Sequence, residues 1–282
     1  SMRTPVVGDK FCVTAGDHEV LCQRGWVPIE GVTTDDYALT LCPHNDTMGY
    51  ERVVETHAYE CQNETLLDVD TEQLSLKVTM GHRMYTKRPD ADAFELVHAR
   101  DAVGTTMVYK THCSSGLRIP VGGVGFVSPP IPIPDDAIGI VDVWLSFFGF
   151  WIGRGCCHEP TRRVIISCFE SECEYLMTLS RMLEIDVVGD SNLQCGRRCV
   201  TYCGVANPNL YDFLLPSSIA EQDRCLPAWS KQLPKQQSKQ LLAGILATSF
   251  GLEDDAHFTH TIASRCLCDD LQMLALHAGC SL

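Results

Sequence analysis

The sequence has no run of about 18 consecutive apolar residues, and its start lacks the apolar core of a secretory signal. We therefore expect an intracellular protein with no membrane partner. Positive charge is also scarce, because 22 Lys and Arg residues stand against 36 Asp and Glu residues, for a formal net charge of -14. This balance excludes a surface that attracts phosphates along its whole face, so binding to nucleic acid would need a local basic groove.

Cysteine, in contrast, is abundant, with 16 residues scattered along the chain. Without a secretory signal, most of them are expected to be free thiols. The spacing of Cys195, Cys199 and Cys203, with Cys156 and His158 available, leaves zinc binding as an alternative. Free thiols are favoured, because structural zinc sites usually use paired Cys-x2-Cys knuckles. No metal site is predicted.

The chain of 282 residues is long enough for two domains. Between residues 12 and 115, short β-type runs alternate with turn residues, which predicts an all-β domain of hairpins rather than βαβ units. Residues 116–138 are rich in Gly and Pro. Because proline fixes φ and removes a backbone donor, this segment is predicted to be a linker.

Residues 139–282 have a different pattern, in which helical periodicity is separated by short β-type runs. The first helix is nearly all apolar, with Asp136 or Asp142 near its start, and the second has an amphipathic stripe. The predicted helices are residues 141–153, 171–183, 239–249 and 268–277. This half of the chain is therefore predicted to be an α+β domain.

The start of the chain carries a short resemblance to another protein. Ser1 and Met2 look like a cloning remnant, and residues 3–11 read Arg-Thr-Pro-Val-Val-Gly-Asp-Lys-Phe. This run resembles a segment of the second-largest subunit of RNA polymerase, where Gly-Asp-Lys-Phe continues into a sequence of the Ser-Arg-His-Gly-Gln-Lys-Gly type. Here that continuation is absent after Phe11. The break indicates an element inserted into such a subunit, with residues 1–11 carrying the remnant of the host.

The residues expected to take part in catalysis are Cys12, Thr79 and His82, the last two in a Thr-x-x-His pattern. A thiol is suited to attack the Phe11 carbonyl and convert the Phe11–Cys12 amide into a thioester, because the thiolate is a strong nucleophile. His82 can protonate the leaving amide nitrogen, and Thr79 can hold that nitrogen or polarise the carbonyl. The alternative interpretation is a buried thiol and a core histidine.

The first half resembles the splicing domain of inteins. The resemblance rests on residues 12–21, which are similar to the first splicing block, on 25–30, and on 77–85, which are similar to the Thr-x-x-His block. It implies a horseshoe-like all-β fold, termed Hint, with Cys12 as the first nucleophile, His82 as the acid at the scissile amide and Thr79 as its helper. Ala15 is a small insertion relative to the family pattern. No cofactor is expected for splicing.

The second half resembles the LAGLIDADG homing endonucleases that inteins carry. Residues 147–155 and 242–250 are similar to the two motifs of that family. The resemblance implies two packed helices, each ending in an acid that binds a metal ion at DNA, but Arg154 and Ser249 stand at those positions. Arginine cannot ligate Mg²⁺, which prefers anionic oxygen, so DNA cleavage is expected to be lost. Mg²⁺ would be needed only if the endonuclease were active.

A candidate basic patch for double-stranded DNA also lies in this half, although solvated or ion-paired arginines are the favoured interpretation. Its residues are Arg162, Arg163, Arg197 and Arg198.

The chain ends without the His-Asn pair that closes an intein, so a missing C-terminal splicing half is an expected partner. Together these resemblances imply a self-processing N-terminal intein portion from a nuclear-type polymerase subunit, with the host segments as partners and a nuclear location. Two alternatives stay open. One is a sequence-specific DNA-binding endonuclease that still cuts, and the other is a cysteine-rich module that binds metal or protein partners.

Overall fold

The structure is a computed structural model in which two compact units, Ser1–Cys113 and Ser114–Leu282, are described separately. The described residues are 13–14, 16, 18–59, 65–70, 74–115, 117, 139–192, 197–203, 208–247, 262 and 264–281, with the side chains of 190–192 and 197–203 left out. Phe11, Cys12, Ser249 and nearly all of the predicted linker 116–138 lie outside the described residues. No helix in the described part of the chain is both long and apolar enough to cross a membrane.

The first unit consists mainly of short antiparallel strands. They are β1 (Glu19–Cys22), β2 (Gly25–Pro28), β3 (Tyr37–Cys42), β4 (Thr47–Arg52), β5 (Leu66–Asp70), β6 (Ser75–Thr79), β7 (Arg83–Lys87), β8 (Glu95–His98) and β9 (Val108–Tyr109). One short helix, α1 (Ala99–Ala102), follows β8, and a 3-10 turn covers Ile29–Gly31. The described strands form three sheets, with the orders β2-β1-β3-β4, β5-β6 and β8-β7-β9.

Hairpins account for most of the pairing in this unit. β1 and β2 pair from Glu19 with Pro28 to Cys22 with Gly25, and Gly25 adopts φ 109, a conformation that favours glycine. A small apolar cluster joins the β6–β7 region to α1. Its buried members are Val78, Met84, Ala99 and Ala102, with Val13, Leu67, Leu76, Met107 and Tyr109 packed against them.

The second unit contains a four-stranded antiparallel sheet and longer helices. Its elements are α2 (Ile140–Arg154), β10 (Gly155–His158), β11 (Arg163–Phe169), α3 (Glu170–Met182), β12 (Val187–Asn192), β13 (Arg197–Cys203), α4 (Pro208–Leu214), α5 (Lys235–Leu246) and α6 (Arg265–Ala278). Short 3-10 turns cover Glu159–Thr161, Leu215–Ser217, Glu221–Asp223 and Ala228–Gln232. The sheet order is β10-β11-β13-β12.

α2 lies at the centre of the large apolar core of this unit. Most of its length is buried, including aromatic side chains that contact one another and the neighbouring Phe213 and Trp229. The buried aromatics of α2 are Trp144, Phe147, Phe148, Phe150 and Trp151. A helix that is apolar on all sides is stable only when surrounded by other elements, and α2 meets that condition.

One disulfide is present among the described residues, between Cys225 and Cys266, whose Cα atoms are 5.4 Å apart. Most cysteines were expected to be free because no secretory signal was found, and this pair, 41 positions apart in the sequence, is an exception. The described free thiols are Cys22, Cys42, Cys113, Cys156, Cys157, Cys168, Cys173, Cys268 and Cys280. Of the residues in the zinc alternative, Cys195 lies outside the description, as do the side chains of Cys199 and Cys203.

Candidate functional site

The Thr-x-x-His pattern forms a tight turn between β6 and β7. The backbone N–H of His82 donates to the carbonyl of Thr79 at 2.9 Å, so the turn brings these two residues together. The backbone of Ala99 then donates to the carbonyl of His82 at 2.8 Å, and His98 Nδ1 donates to the carbonyl of Gly81 at 2.9 Å. These bonds fix the position of the His82 backbone relative to β8 and α1.

The His82 imidazole is half-buried, and its Nδ1 atom is buried without a hydrogen-bond partner among the described residues. Burial lowers the pKa of His82 below its ordinary value, and the neighbouring His18 and Arg83 act in the same direction. Desolvation disfavours the charged form of a histidine. A neutral imidazole near pH 7 can accept a proton and then release it readily.

The segment that follows Cys12 runs along β6. Val13 pairs with Val78 in an isolated antiparallel bridge, and the backbone N–H of Thr14 donates to the carbonyl of Lys77 at 3.3 Å. Val13 also packs against the apolar cluster of Val78 and Met84. The residue after the predicted nucleophile therefore pairs with the residue directly before Thr79. Cys12 and Phe11 themselves lie outside the described residues.

His18 belongs to this arrangement, although the sequence did not single it out. Its ring contacts the carbonyl of Thr14 and the backbone N–H of Lys77, at 3.0 and 3.1 Å. Nothing local in the sequence identifies such a residue, because its partner Lys77 is 59 positions away.

In the second unit, the two segments predicted to be motif helices pack directly against each other through glycine. A Cβ atom placed on Gly149 of α2 would lie 2.5 Å from the carbonyl oxygen of Leu241 and 2.8 Å from the nitrogen of Ile245 in α5. A Cβ atom on Gly244 of α5 would likewise meet the backbone of Ser146. Real Cβ atoms do not approach backbone this closely, so each helix backbone occupies the space that a side chain would need.

Arg154, at the last turn of α2, lies where the resemblance implies a metal-binding acid. Its Nη1 donates to both carboxylate oxygens of Glu172, at 3.1 and 2.8 Å, and its guanidinium lies 4.7 Å from the ring centre of Phe169. The Glu172 side chain is 1% exposed and also accepts the backbone N–H of Phe169 at 2.7 Å. Position 154 is therefore occupied by a buried ion pair. Ser249, the second such position, lies outside the described residues.

The candidate basic patch is divided by the strand pairing. Arg163 pairs with Cys203 at one end of the β11–β13 ladder, and Arg197 pairs with Phe169 at the other. Strands of this length separate the two ends by roughly 20 Å. Arg162 is ion-paired with Asp212 at 2.9 Å. The four arginines therefore lie in two groups at opposite ends of the ladder.

A buried arginine, Arg224, forms hydrogen bonds to the C-terminal end of α2. Arg224 donates from Nη1 to the carbonyl of Ile152 at 2.8 Å and from Nη2 to the carbonyl of Gly155 at 2.9 Å. These contacts satisfy carbonyl groups that a helix end leaves unpaired. Arg224 directly precedes Cys225 of the disulfide, so the end of α2 is linked through this loop to the start of α6.

One group of metal-ligand atoms occurs among the described residues, formed by Cys225, Cys266 and Asp270, with atoms within 4.8 Å of one another. The two sulfurs are bonded to each other, and Asp270 accepts Lys231 Nζ at 2.5 Å and the backbone N–H of Leu226 at 2.8 Å. A cation would have to displace these partners, so the group is not an open metal site.

Nearly the whole chain is similar to segments of two longer proteins. A segment of the ATP-dependent Clp protease proteolytic subunit of Chlamydomonas moewusii is 27% identical over 288 residues, which covers 95% of this chain and 28% of that protein. A segment of the DNA-directed RNA polymerase subunit beta C-terminal section of Stigeoclonium helveticum is 27% identical over 326 residues, which covers 98% of this chain and 29% of that protein. The chain thus spans less than a third of either curated relative.

No protein-family model matches the chain. Among solved structures, full-length DUF199/WhiA from Thermatoga maritima shares 14% identity over 43% of this chain and 36% of that one, with a TM-score of 0.28. A similarity at this level carries no argument about the fold. The chain is therefore similar to segments of a polymerase subunit and of a protease subunit, at low identity in both.

Proposed function

We propose that the chain is the N-terminal portion of an intein, an element that removes itself from a host protein. The observation that carries the proposal is that segments similar to nearly the whole chain, each 27% identical to it, occur in a polymerase subunit and in a protease subunit that are three times longer than the chain or more. The names of these two proteins describe different activities, so neither activity explains a segment that both proteins share. An inserted, self-removing element accounts for its presence in both.

The chemistry begins at the Phe11–Cys12 bond. The Cys12 sulfur adds to the Phe11 carbonyl carbon, the carbon–nitrogen bond then breaks, and the products are a Phe11 thioester and a free amino group on Cys12. His82 takes the thiol proton and delivers it to the departing nitrogen, and Thr79 supports the carbonyl or the nitrogen. The lowered pKa of His82 suits this role, because it leaves the ring neutral to accept the proton and makes the imidazolium a strong donor.

The arrangement around β6 supports these assignments. The Thr79–His82 turn lies at the end of β6, and the bridge between Val13 and Val78 brings the residue after Cys12 to the same end. The host is proposed to be an RNA polymerase subunit, on the resemblance of residues 3–11 and on the polymerase name of one relative.

A thiol-cleavage assay tests this function. With a C-terminal splicing segment supplied, dithiothreitol should release residues 1–11 from the chain, as measured by intact mass. Cys12→Ala should abolish the release, and His82→Ala should slow it by about 10²-fold or more. Cys42→Ala and His44→Ala, at a half-exposed thiol and an exposed ring of the same unit, are the matched controls and should leave it unchanged. An intact leader in the unaltered protein under these conditions would refute the proposal.

The second unit is proposed to be a LAGLIDADG-type domain that has lost DNA cleavage. The glycine contacts between α2 and α5 support the relationship, and the Arg154–Glu172 ion pair supports the loss. Incubating target-bearing plasmids with the protein and Mg²⁺ should give no cutting. Cutting that survives Cys12→Ala would instead favour a live endonuclease as the main activity of the chain.

A further inference from the structure

The ring of His18 connects two backbone segments that are far apart in the sequence. Its Nε2 atom accepts the backbone N–H of Lys77 at 3.1 Å, and its Nδ1 atom lies 3.0 Å from the carbonyl oxygen of Thr14. An atom that accepts from an N–H group must present a lone pair, so the ring proton is on Nδ1 and is donated to Thr14. Both contacts are satisfied at once by the neutral ring in this one tautomer.

The two segments that His18 connects carry the proposed chemistry. Thr14 is two residues after Cys12, and Lys77 is two residues before Thr79. The same segments are also joined by the Val13–Val78 bridge and by two bonds to the Lys77 carbonyl, from the Thr14 backbone N–H at 3.3 Å and from the Thr14 hydroxyl at 3.5 Å. The backbone of His18 is itself fixed, because its carbonyl accepts the backbone N–H of Ile29 at 2.9 Å.

We propose that His18 is a positioning residue for the reaction at Cys12. Its ring holds residues 13–14 on β6, the strand that ends at Thr79 and leads into the turn to His82. The proposal rests on the function proposed above. The ring meets the two backbone groups with one donor and one acceptor atom on a single side chain.

This role needs a donor and an acceptor on one side chain, and that requirement can be tested with a matched pair of variants. In His18→Gln, the amide can donate to Thr14 and accept from Lys77, whereas in His18→Glu the ionised carboxylate can only accept. His18→Phe keeps a ring but has neither function. A residue that serves only to fill space would not distinguish Gln from Glu, which have nearly the same shape.

The experiment uses the full chain labelled with ¹⁵N-lysine, and it measures amide exchange at Lys77 together with thiol-induced release of residues 1–11. In His18→Glu and His18→Phe, we expect exchange at Lys77 to rise by about tenfold, the effect of one lost hydrogen bond. Release should fall by about 10²-fold, because a misplaced reacting bond reacts far more slowly. His18→Gln should stay within about threefold of the unaltered protein in both measurements, as should the exposed-histidine control His44→Gln.

Two results would overturn the positioning role while leaving the proposed function intact. One is release from His18→Phe and His18→Glu at the unaltered rate, and the other is a His18→Gln variant that folds but fails to the same extent as His18→Glu. A third result separates the two proposals. If the unaltered protein never releases its leader although the Lys77 amide is protected through His18, the splicing function fails and the positioning role fails with it.

Discussion

The close contact between α2 and α5 predicts that Gly149→Ala lowers the free energy of unfolding, although alanine favours a helix more than glycine does. Replacing Gly149 with alanine would place a Cβ atom 2.5 Å from the Leu241 carbonyl oxygen, whereas carbon and oxygen atoms normally stay about 3.3 Å apart or more. The two helices would therefore have to separate by about 0.8 Å at this point. Because the obstructing atoms belong to the backbone, no side-chain rotation can relieve the clash.

The magnitude follows from two opposing terms. Overpacking of a well-packed core costs typically 1–3 kcal/mol, and a clash with backbone belongs at the upper end of that range, about 3 kcal/mol. Alanine is the better helix former by about 1 kcal/mol, which offsets part of this cost. We therefore expect Gly149→Ala to lower the free energy of unfolding of the second unit by about 2 kcal/mol.

Tryptophan fluorescence during urea unfolding can measure this change in one unit. Three of the four tryptophans, Trp144, Trp151 and Trp229, lie in the second unit, so a Trp26→Phe background makes the signal specific to it. Ala243→Gly is the control, because Ala243 lies on the exposed face of α5. It should cost only the propensity difference of about 1 kcal/mol.

An increase in the free energy of unfolding would refute this reasoning. If helix propensity alone governed position 149, Gly149→Ala would stabilise the unit by about 1 kcal/mol. A gain of stability, or no change, would show that the helices do not approach at this glycine. Gly244→Ala should also lower the free energy of unfolding. The variant with both substitutions should lose less than the sum of the two single losses, since both changes separate the same two helices.

Two further predictions concern charged and titratable groups of the second unit, and both use the same fluorescence assay. Glu172→Gln removes the anion that pairs with the largely buried Arg154 and should lower the free energy of unfolding by about 3–5 kcal/mol. Adding Arg154→Met should recover most of that loss. Additive effects of the two substitutions in a double-mutant cycle would contradict this. Burial lowers the pKa of His277 to about 4, so the unfolded state binds a proton more readily, and stability should fall by about 3 kcal/mol as the pH drops from about 6.5 to 4. His277→Leu should remove this part of the pH dependence, and an unchanged slope would exclude His277 as its source.

Periodicity located the longer helices because each buries an apolar face, but it did not locate their ends. α6 was predicted from residue 268 and begins at Arg265, because the Ser264 hydroxyl caps it by accepting the backbone N–H of Leu267 at 3.2 Å. α5 was predicted from residue 239 and begins at Lys235, after Pro234. Its first four residues, Lys-Gln-Gln-Ser, are all polar, so they contribute nothing to an apolar pattern.

The strands were predictable where turn residues bounded an apolar run. β1 ends at Cys22, where Gln23 and Arg24 turn the chain into β2. β4 is defined by its pairing with β3, from Tyr37 with Arg52 to Cys42 with Thr47. Pairing of this kind is not a local property of the sequence.

The candidate site shows the same division between local and distant information. The Thr79–His82 turn could be predicted, because its two residues are neighbours and their types match the chemistry. The roles of His18 and Glu172 could not, because each acts on groups 59 or 18 positions away. A local sequence pattern can therefore suggest residues for the proposed reaction, whereas contacts between residues distant in the sequence are found only in the structure.

Under the proposed function, the Arg154–Glu172 ion pair bears on how the metal-binding acid at position 154 was lost. An aspartate there would lie beside Glu172, a buried carboxylate already fixed by the backbone N–H of Phe169. Two buried carboxylates without a metal ion repel each other, whereas an arginine is stabilised by the same neighbour and by the Phe169 ring. The glycine contacts between α2 and α5 differ in kind, because they hold the core of the unit together whether or not DNA is cut. Under the proposed function, acids that serve only chemistry can therefore be replaced by groups that favour stability, while the glycines that close the core must remain.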